Sequence, residues 1–305
     1  MRCLIIHNPA SGPSSDEIYA FTHALAQGGD EVVMRFIGDG MEPEDAVADV
    51  REFDRVVVSG GDGTVSNVLD QMRGCGVPTL VFPSGTACLF FNNIGNAPEA
   101  VALAKACRAG RTVKVDMGEL FWLDENGNEK RHGFIIIAGS GFDAEIMMKA
   151  APAKNDIGEI DYFLSALATP NPTVAHFTIE HDGIVEELDG ICCMAGNTSV
   201  IQNDINLFPD CRMNDGMVDI AVIEPVKTVQ LLPTVITAAL DPAGKVLGRP
   251  QFKIIQTKEA KITCTPSLGM QFDGEIISSN SGVFGARALP QCLDLIVDEF
   301  SPLGK

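Results

Sequence analysis

A glycine-rich segment is the part of this chain whose residue types best suit phosphate chemistry. Gly60-Gly61-Asp62-Gly63-Thr64 lies between an apolar run at residues 55–58 and a helical pattern at 65–73. Glycine has no Cβ, so the backbone there can approach a ligand closely and adopt positive φ. Amide N–H groups at the start of a helix bind anionic oxygens. Because Asp62 would repel a bare phosphate, the segment predicts a phosphate site with a divalent cation or a basic group; a tight turn without a ligand is the alternative.

Two further loops are rich in hydroxyl side chains and glycine. Asn8-Pro9-Ala10-Ser11-Gly12 follows the apolar run at residues 2–7, and Pro83-Ser84-Gly85-Thr86 follows the run at 78–82. Ligands of open α/β sheets bind at the carboxyl ends of the strands. We therefore expect the three loops to lie on one rim, where their hydroxyl groups can donate to phosphate. The sequence contains no Gly-x-x-x-x-Gly-Lys-[Ser/Thr] motif, which excludes a P-loop protein.

The loops lie between elements that alternate along the N-terminal part of the chain. Strand patterns occur at 2–7, 31–37, 55–58 and 78–82, and helical patterns at 15–27, 42–52, 65–73, 86–93 and 97–109. Repeated strand–helix units with short loops predict a parallel, doubly wound α/β sheet.

The pattern changes after residue 111. Strand patterns occur at 112–122, 131–138, 174–181, 184–196, 217–223, 252–256, 260–265, 270–273, 282–287 and 292–298, with helical patterns at 156–168 and 227–240. Many short strands with turn signals between them predict an antiparallel β-sandwich. We therefore expect an α/β nucleotide-binding domain at 1–122 and a β-sandwich domain at 123–295.

Composition restricts the partners and the compartment. A single core stops growing at roughly 250–300 residues, so 305 residues favour two domains. The net charge of −19 argues against a nucleic-acid partner and against anchoring to anionic lipid through a polybasic patch. No apolar stretch approaches the ~20 residues of a membrane span, and the apolar run at the start of the chain is too short for a signal peptide. The nine cysteines lack Cys-x-x-Cys spacing, which favours free thiols in a reducing cytoplasm over a zinc site or disulfides.

The glycine-rich segment also resembles a known motif. Residues 57–67 are similar to the GGDGT nucleotide loop of the diacylglycerol and sphingosine lipid kinases, and further matches to that family follow in order along nearly the whole chain. They are the opening loop at 8–12 (NPxSG), the loop at 83–86 (PxGT), Gly139-Ser140-Gly141-Phe142-Asp143-Ala144 (GxGFDA), the helix at 158–163, the stretch at 209–218 (P…NDG) and Asp273-Gly274-Glu275 (DGE). The resemblance implies an ATP- and Mg²⁺-dependent lipid kinase. It also implies that the tail at 296–305 returns to the first domain.

The resemblance assigns roles to individual residues. The residues that it places at the nucleotide are Asn8, Ser11, Gly12, Gly60, Gly61, Asp62, Gly63, Thr64, Asn67, Ser84, Gly85 and Thr86. Asp62 and Asp116 resemble carboxylates that organise a magnesium–water network. A second metal position is implied at Asp215 with the backbone oxygens of Arg212 and Met217.

The same resemblance implies that Glu275, together with Asp273, acts as the base for the lipid hydroxyl. A glutamate of ordinary pKa, about 4.3, cannot take that proton early. In a loose transition state it need only orient the hydroxyl and collect the proton late. Taken without the resemblance, Asp273-Gly274-Glu275 predicts an ordinary hairpin turn.

Two departures from the family leave a reduced or altered activity open. Cys88 and Leu89 stand where the family usually has Asn, often Asn-Asp, and residues 13–17 lack the basic residue that often follows the NPxSG loop. Without that charge, magnesium would have to neutralise more of the phosphate charge.

Three other functions are alternatives to lipid phosphorylation. NAD kinases share a GGDGT loop, although their next loop differs from Pro83-Ser84-Gly85-Thr86-Ala87-Cys88. A nucleotide-binding regulator without turnover would fit the loss of asparagine at Cys88. The segment at 139–144 also matches the dinucleotide pattern G-x-G-x-x-G/A, with Glu159 and Asp161 as ribose partners, but its surroundings look antiparallel.

The expected partner is a lipid alcohol that the protein meets by brief contact with a membrane surface. Apolar side chains at 89–91 and 146–148 could line the entrance for the acyl chains or belong to helix cores, and the core is favoured. We therefore expect a cytoplasmic protein that is peripheral to the membrane. The acceptor lipid and a possible homodimer stay open.

Overall fold

The chain divides into two compact units. The computed structural model describes residues 1–12, 16–38, 40–141, 144, 171–202, 205–231, 236–237, 240–241, 243–277 and 281–304. Residues 1–117 and 290–305 form the first unit, and residues 118–289 form the second. The chain thus leaves the first unit and returns to it at its end.

The first unit is a parallel α/β sheet. Its strands are β1 (Arg2–His7), β2 (Glu31–Phe36), β3 (Arg55–Gly60) and β4 (Thr79–Pro83), and its helices are α1 (Glu17–Gln27), α2 (Pro43–Ala46), α3 (Asp62–Gln71), α4 (Leu89–Ile94) and α5 (Ala100–Ala109). The strand order is β2-β1-β3-β4, and Leu295 near the chain's end pairs in parallel with Thr79 of β4. The doubly wound sheet that the sequence predicts is confirmed.

The apolar runs explain the position of these strands. Residues 3–6 of β1 and 56–58 of β3 are fully buried. Continuous apolar runs of this kind are typical of parallel strands that are covered on both faces. Helix α1 buries Ile18, Phe21 and Leu25, whose spacing puts them on one face.

The second unit is an antiparallel β-sandwich. Its strands are β6 (Glu129–Phe134), β7 (Ile137–Gly141), β8 (Ala175–His181), β9 (Ile184–Gly190), β10 (Cys192–Gly196), β11 (Val200–Gln202), β12 (Ile205–Asn206), β13 (Val218–Ile223), β14 (Phe252–Thr257), β15 (Glu259–Thr265), β16 (Met270–Phe272) and β17 (Glu275–Ile277). Two long strands, β5 (Thr112–Leu123) and β18 (Val283–Ile296), begin in one unit and end in the other.

Two sheets contribute to the core of the second unit. One has the order β14-β13-β10-β7-β16-β17, and in the other the first half of β18 is followed by β15, β8 and β9. A single buried cluster combines Phe177 of β8 and Ile262 of β15 with Val218 and Ile220 of β13. Side chains from two facing sheets that share one core define a sandwich, as the sequence predicts.

Several element bounds differ from those expected. The helix expected at 42–52 is reduced to α2 and a short 3₁₀ helix at Val50–Glu52. Its Ala46 carbonyl accepts from Arg35 Nη1 (2.7 Å), and Arg35 also binds the Asp49 carboxylate. This contact competes with the helical hydrogen bond that the Ala46 carbonyl would otherwise accept.

The expected strand at 184–196 is split because the chain changes sheets. β9 pairs with β8, whereas β10 pairs with β7 and β13. At the junction, a Cβ on Gly190 would lie 2.7 Å from the Ile223 carbonyl oxygen. The expected strand at 131–138 is likewise two strands, and the two expected at 282–287 and 292–298 are the single strand β18.

The structure describes only part of the two helices that the sequence predicts in the second unit. The helix expected at 156–168 lies outside the described residues, and the described residues at 228–231 form a 3₁₀ helix. None of the helices in the described part of the chain has the length and hydropathy that a membrane span needs.

Candidate functional site

The three glycine- and hydroxyl-rich loops meet at one edge of the first unit. Asn8 Nδ2, after β1, donates to Thr64 Oγ1 at 2.9 Å. Ser84 N, after β4, donates to the Gly60 carbonyl at 3.3 Å. A Cβ on Gly12 would lie 3.4 Å from Thr86 Oγ1. The structure therefore brings together the candidate residues at 8–12, 60–64 and 84–86.

The glycines of this site serve close approach rather than unusual backbone angles. Gly12 has φ 121°, but none of the glycines in the 60–64 segment, all of which the structure describes, has positive φ. The positive φ expected in that segment is therefore wrong. A Cβ on Gly60 would lie 2.4 Å from the Thr64 side chain, and one on Gly85 would lie 2.5 Å from Gly61 Cα. Gly85 is needed because its backbone packs directly against that of Gly61, and Gly60 because the Thr64 side chain lies against it.

An alanine at Gly85 is expected to disturb the site more than an alanine at Gly61. The new Cβ of Gly85→Ala meets backbone that cannot move aside, so we expect a loss of about 1–3 kcal/mol in unfolding free energy together with weaker ATP binding. At Gly61 the Cβ would lie 3.7 Å from Gly85 Cα, which is ordinary contact. Urea denaturation and titration calorimetry with Mg²⁺-ATP measure both variants, and equal stability of the two would contradict the close contact.

The 60–64 segment is already helical at Asp62. Helix α3 begins there, with Gly61 as its N-cap, and Val65 N donates to the Gly61 carbonyl. Asn67 is half-buried on the second turn of the same helix. The first amide N–H groups of a helix have no partner within it, so the start of α3 offers donors to an anion.

Ser11 supplies a second sign of a ligand. Its Oγ is buried and has no hydrogen-bond partner among the described residues. An unpaired buried hydroxyl is costly, and a phosphate oxygen is an acceptor that would satisfy it. The residues present therefore fit a nucleotide phosphate.

Asp62 connects the glycine-rich segment to helix α4. Its two carboxylate oxygens accept from Leu89 N (3.0 Å) and Phe90 N (2.9 Å) at the start of that helix. Burial raises the pKa of the Asp62 carboxyl, and the two amides act in the opposite direction. Each carboxylate oxygen has a second lone pair, so the group can still accept from a water of a hydrated magnesium ion.

The other carboxylate implied for magnesium, Asp116, is also engaged. It is buried on β5, and its Oδ1 accepts from Gln291 N at 2.7 Å. No group of three or more His, Cys, Asp or Glu side chains in the described part of the chain is arranged to hold a metal ion. A magnesium ion here would thus depend on water and phosphate oxygens, and the role of Asp116 stays a prediction.

A buried hydrogen-bond chain, which the sequence analysis missed, holds the 84–86 loop. His7 Nδ1 lies 2.9 Å from Ser59 Oγ, which lies 2.7 Å from Ser84 Oγ. All three side chains are buried, and burial lowers the pKa of His7. Polar residues at the ends of β1 and β3 were the available signal. These hydrogen bonds fix Ser84, the first residue of the 84–86 loop of the site.

Cys88 occupies a backbone position that suits asparagine or glycine. Its φ is 47°, in the left-handed region, and its Sγ donates to the Gly85 carbonyl at 3.3 Å. Burial, with a smaller contribution from the Asp62 charge, raises the pKa of Cys88 to about 11. Phe90 and Phe91 after it are buried, as expected of a helix core; residues 146–148 lie outside the described residues.

The left-handed backbone at Cys88 predicts an unusual order of stabilities. Because only glycine adopts this conformation without a Cβ penalty, Cys88→Gly should be more stable than Cys88→Ala by about 1 kcal/mol. Cys75, which is half-buried and has no positive φ, is the control, since glycine should gain nothing over alanine there. Chemical denaturation of the four variants tests this, and an alanine advantage at both positions would refute the strain at Cys88.

In the second unit, Asp273 and Gly274 form the turn of a hairpin. Phe272 pairs with Glu275, and the two residues between them have φ of 42° and 92°, as a two-residue type I′ turn requires. The Asp273 carboxylate accepts from the amides of residues 135–137 at 2.7–3.0 Å. Glu275 is exposed directly after this turn. Asp273 therefore positions the hairpin, and Glu275 presents a carboxylate to solvent.

The second metal position that the resemblance implies is centred on Asp215, whose carboxylate already has two hydrogen-bond partners. Asp215 Oδ1 accepts from Met217 N (3.0 Å) and Oδ2 from Gln256 Nε2 (3.3 Å). Arg212 is exposed nearby in the chain. The carboxylate thus lies at the Met217 amide, and metal binding by Asp215 with the Arg212 and Met217 carbonyls stays a prediction.

The dinucleotide alternative for residues 139–144 is wrong. Gly139 and Gly141 lie within β7, which pairs antiparallel with β10 and β16. A Cβ on Gly139 would lie 2.5 Å from the Cys193 carbonyl oxygen. These glycines permit close contact between antiparallel strands, and β7 is not part of a parallel strand–helix–strand unit. Glu159 and Asp161 lie outside the described residues.

Comparison with known proteins covers both units. Residues 2–120 match the family model described as the diacylglycerol kinase catalytic domain, and residues 136–297 match the YegS C-terminal NAD kinase beta sandwich-like domain. A diacylglycerol kinase of Mycobacterium tuberculosis is 28% identical over 241 residues, which are 75% of this chain and 73% of that protein. A diacylglycerol kinase of Bacillus subtilis is 27% identical over 292 residues, 90% of this chain and 89% of that protein.

A solved structure has the same fold. The crystal structure of a diacylglycerol kinase from Bacillus anthracis str. Sterne superposes with a TM-score of 0.72 at 21% identity, covering 98% of this chain and 97% of that one. At this identity the likeness concerns the fold alone.

Proposed function

Since this chain belongs to the diacylglycerol kinase and YegS-like family of lipid kinases, we propose that it transfers the γ-phosphoryl group of ATP to the hydroxyl of a lipid such as diacylglycerol or a sphingoid base. It is a kinase, a phosphotransferase that acts on an alcohol group. The observation that best supports the proposal is the convergence of three loops at the start of α3, with a buried, unpartnered Ser11 Oγ beside them.

The chain's own groups would bind the phosphates and fix their position. Phosphoryl transfer asks a protein mainly to position the reactants and to neutralise charge. The start of α3, Ser11 Oγ and Thr86 Oγ1 would donate to phosphate oxygens, and Gly85 lets the 84–86 loop lie close to Gly61. The buried chain from His7 to Ser84 keeps the 84–86 loop in one position.

Magnesium, when bound, would supply positive charge beside the β- and γ-phosphates. Asp62 and Asp116 would hold its water ligands, and Asp62 also keeps the start of α4 in place. The chain has an excess of acidic residues, 41 against 22 basic ones, so few of its own cations can take the place of the ion.

In the second unit, Glu275 would orient the lipid hydroxyl. Its carboxylate would accept the hydroxyl hydrogen and take the proton late, when the bond to phosphorus has begun to form. Asp273 acts on this residue indirectly, by fixing the hairpin turn that precedes it.

The lipid substrate leads us to propose brief contact with the cytoplasmic face of a membrane. Weak, reversible contact through apolar side chains suits a chain of net charge −19 better than an electrostatic anchor.

A phosphate-transfer assay distinguishes this function from its alternatives. Purified protein with Mg²⁺ and labelled ATP is incubated with diacylglycerol, sphingoid bases, NAD or no acceptor. Label transferred to a lipid, with matching ADP release, supports the proposal. NAD-dependent release supports the soluble-acceptor alternative, and saturable ATP binding without release supports a regulator; either result overturns lipid phosphorylation.

A further inference from the structure

Four large apolar side chains of the second unit lie exposed within a short stretch of sequence. Among the described residues, Ile236 is 54% exposed, Leu240 74%, Val246 86% and Leu247 46%. We refer to these four side chains as the apolar turn. Single exposed apolar residues are normal on soluble proteins, but several exposed apolar side chains close together indicate an interaction surface.

The apolar turn is held in shape by internal hydrogen bonds. Asp241 Oδ2 accepts from Val246 N and Leu247 N, each at 2.8 Å. The buried Arg249 guanidinium donates to the carbonyls of Asp241 (3.0 Å) and Asn206 (2.7 Å). The backbone that displays Val246 and Leu247 is therefore ordered before any partner binds, which lowers the entropy cost of binding.

The local charge at the apolar turn differs from that of the whole chain. Residues 240–249 carry one acidic side chain, Asp241, and two basic ones, Lys245 and Arg249, and of these three Lys245 is the exposed one. Screening at physiological salt confines charge effects to about 8 Å. A partner that touches the apolar turn thus meets a positive charge despite the net −19 of the protein.

A second exposed apolar pair has the opposite surroundings. Ile184 and Val185 are 54% and 59% exposed at the start of β9. Asp182 and Glu187, both exposed, flank them in sequence, and Glu186 forms an ion pair with Lys253. An anionic surface would be repelled there, so this pair serves as a control for apolar exposure alone.

We propose that the apolar turn docks on the surface of an anionic lipid bilayer, with Leu240, Val246 and Leu247 entering the headgroup–acyl boundary and Lys245 at the lipid phosphates. The proposal rests on the proposed function, since a lipid kinase must reach a substrate that resides in a membrane. A few apolar side chains and one lysine give weak and reversible binding. This matches an enzyme that visits the membrane for each substrate molecule.

Vesicle sedimentation with matched variants tests the docking. We compare wild type, Leu240→Gln/Val246→Gln, Lys245→Glu and the control Ile184→Gln/Val185→Gln on phosphatidylcholine vesicles with and without phosphatidylserine. The first double variant should lower the partition coefficient about tenfold, equivalent to about 1.4 kcal/mol, whereas the control should bind as wild type does. Lys245→Glu should weaken binding only where phosphatidylserine is present.

Several outcomes would overturn the docking surface. They are no vesicle binding by wild type, equal losses in the two double variants, or equal binding by all four proteins. Sedimentation without lipid is the further check: if the apolar turn instead joins two copies of this chain, Leu240→Gln/Val246→Gln will dissociate a dimer and leave vesicle binding unchanged.

An activity assay distinguishes failure of the docking proposal from failure of the proposed function. A short-chain diacylglycerol dispersed as monomers needs no membrane. If Leu240→Gln/Val246→Gln phosphorylates it at the wild-type rate but loses activity on vesicle-bound diacylglycerol, both proposals are supported. If wild type binds vesicles through the apolar turn but phosphorylates no lipid, the docking stands and the lipid kinase proposal fails.

Discussion

Asp62→Asn should lower kcat/KM for lipid phosphorylation on the order of 10³-fold, the effect of removing one preorganised charged group from a transition state. The carboxylate lies at the start of α3, and its loss would remove the group that we propose to organise the magnesium waters. Asparagine keeps the size of the side chain and can still accept from one of the two amides, Leu89 N or Phe90 N. The cost in stability should therefore stay at about 1–3 kcal/mol, and the variant should remain folded at room temperature.

Asp70→Asn on the same helix is the matched control. Asp70 is buried and forms an ion pair at 3.2 Å with Arg73, which lies in the turn after the helix. Its replacement should also lower the free energy of unfolding, but it should leave kcat/KM nearly unchanged. Steady-state kinetics and urea denaturation are measured for both variants. If Asp62→Asn kept near-normal turnover, or if Asp70→Asn lost as much, the role of Asp62 at the cation would be wrong.

The raised pKa of Asp62 adds a dependence on pH. Burial favours the protonated carboxyl in the folded state, so this group binds its proton more tightly folded than unfolded. Its contribution to stability is therefore present at low pH and is lost as pH rises from the unfolded pKa through the folded one. Turnover should show the opposite trend, because the ionised form is the one that we propose to organise the cation.

The main strands and the three loops could be predicted because their signals are local. Continuous apolar runs mark β1, β3 and β4, and the loops of the site follow these runs directly in the sequence. The start of α3 at Asp62 could not be predicted because its N-cap is Gly61, which has no side chain to cap the helix. The breakdown of the helix at 42–52 depends on Arg35, a residue in another element.

The contacts inside the site could not be predicted from the sequence for a related reason. Asp62 is tied to amides 27 and 28 residues away, and Asp273 to amides more than 130 residues away. Their residue types suggest carboxylate chemistry, but only the folded chain shows which carboxylate is engaged by backbone. The left-handed φ of Cys88 is similar: the family's asparagine suits this position by its backbone preference as well as by its amide.

Glu275→Gln should lower kcat on the order of 10²- to 10³-fold, the usual contribution of a positioned proton acceptor. The amide can no longer accept the proton as the bond to phosphorus forms. Because Glu275 is exposed after the hairpin turn, the change should alter unfolding free energy by less than about 0.5 kcal/mol. Single-turnover kinetics with vesicle-bound diacylglycerol measure the chemical step, and thermal denaturation measures stability.

Asp273→Asn separates the proposed base, Glu275, from the residue that positions it. Asparagine tolerates the positive φ at this turn, so the backbone itself should be unaffected. The amides of residues 135–137 would lose a charged acceptor, which should lower the unfolding free energy by about 2–3 kcal/mol. Its kcat should fall less than that of Glu275→Gln. If the order of the two effects on kcat were reversed while both variants stayed folded, the proton acceptor would be Asp273, and Glu275 would be only a neighbour of the turn.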